Sequence, residues 1–231
     1  MRIILGILIG LLLAIGVGVG AVYYAFGELR HIEDRDKTQD ITRIFELSEF
    51  DAIDIRGVFE FDINVGEGYS VAISGSATAL DRLEADVVNG ALTLDQVRIT
   101  SGGKRKWRDV GMTATITVPA LSRLEVSGIS DGSIMGIDAD HFTVDVSGIS
   151  DLNLMGRCGQ LEAHLSGLGD LDAEGLQCEN ADLAVSGLGE ASIYASESVD
   201  ASVNGLGSVE IYGDPTTVQK QTSFLSDITV R

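Results

Sequence analysis

The sequence predicts an all-β protein, a right-handed parallel β-helix (solenoid) with coils of about 20 residues, preceded by one N-terminal transmembrane helix. Three observations predict it. The first is a phrase that recurs as VSGISD at 126–131 and 146–151, LSGLGD at 165–170, VSGLGE at 185–190 and VNGLGS at 203–208. Its central glycines, Gly128, Gly148, Gly167, Gly187 and Gly205, stand 20, 19, 20 and 18 residues apart. Short β-type phrases at such a period mark a stacked repeat, because one unit cannot bury its own apolar face. The second observation is an alternation inside each repeat. Counting from the central glycine, position −4 (Leu124, Val144, Ala163, Leu183, Ala201), position −2 (Val126, Val146, Leu165, Val185, Val203) and position +6 (Ile134, Leu154, Ala173, Ile193, Ile211) are apolar, and most residues between them are polar. Period-2 patterning marks strands with one buried and one wet face. The third is the uncharged run 3–26, IILGILIGLLLAIGVGVGAVYYAF, long enough for the roughly 20 residues that cross a bilayer.

In chain order, residues 1–26 are expected as an uncleaved signal anchor, with a cleaved signal peptide as the alternative. Arg30, Arg35 and Lys37 outnumber Arg2, which taken alone argues against export of the C-terminal side. A repetitive β-domain behind an apolar N-terminal segment argues for export, and the domain is placed outside the membrane. No Cys directly succeeds the run, so no lipoprotein signal is read. Residues 27–44 are polar and charged and are read as a tether; 45–120 are read as irregular first coils, and 121–231 as the regular solenoid. In FDAIDIRGVFEFDINVGEGYSVAISG (50–75), Gly57 and Gly66–Gly68 are expected as turns. Ser76 is expected to cap a short helix or loop, and Asn89–Gly90 to turn a hairpin. MTATITVPAL (112–121) is a further strand ending near Pro119. Within the repeats the central glycine is expected to break the alternation, turning position +1 (Ile129, Ile149, Leu168, Leu188, Leu206) inward. A second glycine column at +8 (Gly136, Gly156, Gly175, Gly213) supplies another corner. A sixth, degenerate copy at 223–227 replaces the glycine with Phe224, which is read as a cap on the open end.

The chain has 231 residues, 45% of them hydrophobic, and a formal net charge of −19. Such acidity argues against nucleic acid as a partner. Cys158 and Cys178 each lie 9 residues before a central glycine, so adjacent coils would stack them. In an oxidising compartment they could pair, or they could remain two buried thiols.

Candidate sites fall into columns. The acidic column at +3, Asp131, Asp151, Asp170 and Glu190, offers hard oxygen ligands in a row, which suits Ca²⁺; otherwise these side chains splay into water or cap the backbone. The −1 column (Ser127, Ser147, Ser166, Ser186, Asn204) is read as a hydrogen-bonded ladder and not as nucleophiles, which need a positioned base. His164 at −3 is placed beside Asp145 of the neighbouring coil, a single pair that makes thin acid–base machinery. The basic cluster Lys104, Arg105, Lys106, Trp107 and Arg108 is a candidate for binding anionic polysaccharide or headgroups, or else a solvated loop.

The strand phrase of 50–75, the strand ITVPALSRLEVSG (116–128) and the serial VSGISD and LSGLGD phrases resemble the head GIN domain family of auto-transporter adhesins. The resemblance runs over about 45–231 and implies an exported all-β solenoid of the bacterial envelope, with no catalytic residues to carry over. Asn204 and Phe224 depart from the repeat's usual Ser and Gly. The expectation is therefore a single-pass protein of the bacterial inner membrane, held there through residues 3–26. Its β-domain would bind polysaccharide or another envelope protein, with no catalysis and no cofactor beyond Ca²⁺. The rivals are a structural or signalling ectodomain and a polysaccharide-active enzyme.

Overall fold

The structure is a computed structural model that describes residues 40–97, 111–223 and 225–231. Within them the chain is all-β apart from one helical turn. The strands are β1 (Ile41–Phe45), β2 (Ala52–Val65), β3 (Ser70–Gly75), β4 (Leu83–Val88), β5 (Ala91–Gln96), β6 (Met112–Val118), β7 (Arg123–Leu168), β8 (Leu171–Val203), β9 (Leu206–Tyr212), β10 (Thr217–Thr222) and β11 (Ser226–Val230), with α1 at Ala77–Leu80. The expected anchor at 3–26 and the expected cap Phe224 lie outside the described residues. Among the described residues no helix is long and apolar enough to cross a membrane.

The first part is a mixed sheet. β3 pairs antiparallel with β1 and with β6, and β4 with β5. β2 runs parallel to β5, β6 and β7. Strand β1 begins at Ile41, inside the segment expected as tether, because Ile41–Phe45 finds a partner in Val71–Gly75. Ser76 caps α1, its hydroxyl accepting from Ala79 N at 3.1 Å. Asn89 and Gly90 turn the β4–β5 hairpin at φ 52° and 79°, the positive-φ pair that a tight two-residue hairpin requires.

From β7 onward the pairing is parallel and steps by one repeat. Gly167 lies opposite Gly187, and Cys158 opposite Cys178; Leu188 lies opposite Leu206, and Ile228 opposite Val209. The −4 and +6 columns are buried throughout. Some places in the repeats take small side chains, Ala163 and Ala201 in the column of Ile53 and Leu124, and Ala173 in the column of Ile63 and Ile134.

Two expectations about glycine need correction. Gly57 is not a turn; it lies inside β2 in register with Gly128, as the first member of the glycine column. Nor does the central glycine break the alternation. Ser130 and Ser150 at +2 are buried, so even positions face inward straight through the glycine and odd positions face outward. The +1 residues are therefore at the surface, Ile129, Ile149, Leu168, Leu188 and Leu206 being 42–50% exposed. The glycine is needed for close approach. A Cβ on Gly128, Gly148, Gly167, Gly187 or Gly205 would fall on the carbonyl oxygen of the preceding glycine, well inside van der Waals contact. At Gly128, Gly148 and Gly167 the φ values of 131°, 126° and 146° add a backbone conformation that L side chains rarely adopt.

Candidate functional site

The feature that departs most from an ordinary soluble surface is built on this glycine column. Because each glycine sits directly over the last, the column is a strip of bare backbone. Beside it, at +1, the aliphatic side chains stand in a row from Ile129 to Leu206, and Leu225, 64% exposed, continues the row. Val58 lies opposite Ile129 at the other end. Strip and row form a shallow groove in which Gly57, Gly128 and Gly148 are the floor and Ile129 and Ile149 a wall. The end of β5, Asp95, Gln96 and Val97, closes it on the N-terminal side together with Arg56. Arg56 is held there by Asp54, its Nε donating to Asp54 Oδ1 at 3.0 Å. Burial pushes the Asp54 carboxyl above its ordinary range, and the Arg56 hydrogen bond opposes that.

The −1 hydroxyls bordering the strip are committed to the backbone. Ser147 Oγ donates to Val126 O at 3.5 Å, Ser166 Oγ to Val146 O at 3.2 Å and Ser186 Oγ to Leu165 O at 3.4 Å. Beneath the strip the buried hydroxyls of Ser130 and Ser150 have no hydrogen-bond partner. Ser150 lines a small cavity of about 20 Å³ with Gly169, Gly189 and Ala191, about the space one water needs.

On the other side of the aliphatic row lies the +3 acidic column. Asp170 N donates to Asp151 Oδ1 at 3.1 Å, and Glu190 N to Asp170 Oδ1 at 2.8 Å. Asp151 and Asp170 thus each use one oxygen to bind the next repeat and keep the other outward. Among the described residues no group of three or more His, Cys, Asp or Glu side chains is placed to hold a metal ion. His164 does not meet Asp145; its Nε2 lies 3.1 Å from Glu162 Oε1, two residues back on its own strand. Cys158 and Cys178 are joined as a disulfide, Cα atoms 4.4 Å apart. The basic cluster Lys104, Arg105, Lys106, Trp107 and Arg108 lies outside the described residues.

Sequence reasoning missed the exposed row. The signal is present, since +1 has the same odd parity as the wet positions −3 and +3, but an apolar column invites a reading of burial.

The repeat order is shared beyond this chain. The sequence profile of the family described as "Putative auto-transporter adhesin, head GIN domain" matches residues 49–215. The chain belongs to this family. Among solved structures, this GIN domain is similar to a putative adhesin of Bacteroides fragilis, at 24% identity and a TM-score of 0.69, covering 84% of this chain and 97% of that one. It also matches a putative lipid binding protein of Parabacteroides distasonis at 17% identity and TM-score 0.48, covering 82% and 96%. A putative adhesin of Parabacteroides merdae matches at 16% and 0.40, covering 82% and 96%. Comparison of the GIN domain with curated proteins finds no match.

Proposed function

We propose that this protein is a binding module of the bacterial cell envelope, displayed outside the cytoplasmic membrane, whose parallel repeats wind as a right-handed β-solenoid. It is held by residues 3–26 as a single-pass anchor and works by adhesion-like binding without catalysis. The observation that carries this reading is the aliphatic row Ile129–Leu206, left at the surface in every repeat of a chain whose net charge is −19. Recurrent exposed apolar surface marks interaction sites. The parallel one-repeat register supports the winding, and the commitment of the −1 hydroxyls to carbonyls supports a role without nucleophiles. Membership of an adhesin-head family supports the location.

The test is a binding screen of the full chain against envelope polysaccharides, host glycans and envelope proteins, run beside the variant Ile149→Ser/Leu168→Ser/Leu188→Ser. The reading expects a saturable partner that the variant loses. A partner retained in full by the variant, or no partner at all, would count against it. A second variant with Lys104, Arg105, Lys106, Trp107 and Arg108 all replaced by Ala reports on the basic cluster separately.

A further inference from the structure

The exposed row has a chemical neighbourhood narrow enough to name a partner class, one that rests on the binding reading above. The row Ile129, Ile149, Leu168, Leu188, Leu206, Leu225 follows the register of the repeats: Leu168, Leu188 and Leu206 lie opposite one another in turn, and Gly128, Gly148 and Gly167, which precede the first three, stack on one another. Its outer flank is the +3 column, where Asp131, Asp151, Asp170 and Glu190 are all exposed. Two cations flank this face among the described residues, Arg56 at the N-terminal end of the groove and Arg231 near the other end, and each is ion-paired, to Asp54 and Glu210. A patch with apolar surface along one side and carboxylates along the other is complementary to a partner with an apolar stripe flanked by cations. A second copy of the chain fits poorly, because it would bring carboxylate columns together and carries a charge of −19 itself. An anionic bilayer fits poorly for the same reason.

Backbone geometry narrows the partner further. Along this face the peptide groups of successive repeats are paired with one another, so the row offers no free strand edge for an extended peptide to join. A helix satisfies its own peptide groups. Its apolar stripe rises 5.4 Å per turn, near the roughly 4.8 Å between neighbouring strands. Six rungs span about 24 Å at that spacing, the length of about 16 helical residues. We infer that the glycine groove and its aliphatic wall receive a cationic amphipathic helix of about four turns. The helix lies along the stack axis, with its apolar stripe on Ile129–Leu225 and its basic flank over the +3 carboxylates.

The experiment uses the full chain in zwitterionic nanodiscs, with empty nanodiscs as reference. The probe is a labelled 16-residue Leu/Lys peptide of amphipathic pattern, beside a scrambled peptide of the same composition and a Leu/Glu counterpart. The proposal expects saturable binding of the patterned Leu/Lys peptide that weakens with salt. Ile149→Ser/Leu168→Ser/Leu188→Ser should weaken it at least tenfold with the fold retained by circular dichroism. Asp131→Asn/Glu190→Gln should weaken it less and flatten the salt dependence. Equal binding of the scrambled or Leu/Glu peptide, or binding that the apolar variant leaves unchanged, overturns it. So does a concentration-dependent dimer that the apolar variant abolishes, which would give the row to a second copy. In the same nanodisc format, capture of a neutral glycan that the apolar variant loses, without helix binding, overturns the helix and leaves the binding module standing. No row-dependent binding of any probe ends both.

Discussion

The mixed sheet of β1–β6 and the parallel repeats of β7–β11 treat apolar side chains differently. Among the described residues of the first region, large apolar side chains are exposed only where an element ends or an edge lies open: Ile41 and Ile44 on β1, Tyr69, Val88 at the hairpin, Val97 after β5. In the repeats exposure recurs by register, at +1 from Ile129 to Leu225 and at +7 in Met135 and Met155. The first pattern is what any small sheet leaves uncovered. The second is set by register, so each added repeat lengthens it. In a stacked repeat, then, an apolar column reports the parity of its position, not its depth.

The largest expected effect is at the glycine column. Gly148→Ala should cost about 4 kcal/mol in denaturant unfolding, from overpacking against Gly128 plus a strained positive φ. Gly66→Ala, with open space around it, should change stability by no more than about 0.5 kcal/mol. Next comes the contrast of two isoleucines. Ile53→Ala, at a fully buried side chain of the first region, should cost about 3 kcal/mol. Ile149→Ala, half exposed, should cost well under about 1 kcal/mol; equal losses would mean that the row is packed and not displayed.

The disulfide comes third. Replacing Cys158 and Cys178 by Ala, which opens a bridge of sequence separation 20, should lower unfolding free energy by about 2–3 kcal/mol. Hydrogen exchange should place that loss in β7 and β8 and leave β1–β6 unchanged. Fourth, Ser150→Ala removes a buried hydroxyl without a partner and should raise stability by about 1 kcal/mol. A drop instead would reveal a bound water in the cavity beneath the strip. The smallest effect concerns the last repeat. Arg231, and then Tyr212, hold the Glu210 carboxyl below its ordinary range. Stability from this contact is therefore present above the ordinary glutamate range and is lost as pH falls through the depressed value. Proteolytic clipping of β11 should increase on acidification, and Arg231→Ala should flatten that dependence.

Much of the fold was legible because the repeat wrote itself into the residues. The glycine spacing set the register, the −4 and +6 columns marked the core, and Ser76 and Asn89–Gly90 marked their turns. The pairing of β2 with three strands was not legible, since Gly57 carries no local sign that its partner is Gly128, 71 residues on. The exposed row is hidden from a sequence reading that makes the glycine a corner and flips the chain there. A glycine chosen for close backbone stacking leaves the alternation intact, and sequence alone does not separate the two uses. At the +3 column, the backbone-capping alternative is seen in Asp151 and Asp170, which each commit an oxygen to the amide of the following repeat.

The bridge between Cys158 and Cys178 has a mechanical consequence. In a parallel stack each layer grips only the one before it, so a pull on the C-terminal end peels layers off one at a time. At the covalent clip that order changes. The strands bearing Leu188, Leu206 and Leu225 lie beyond the clip and form a sacrificial zone, while the bridge carries the tension from Cys178 to Cys158 and leaves residues 159–177, with Leu168 among them, unloaded.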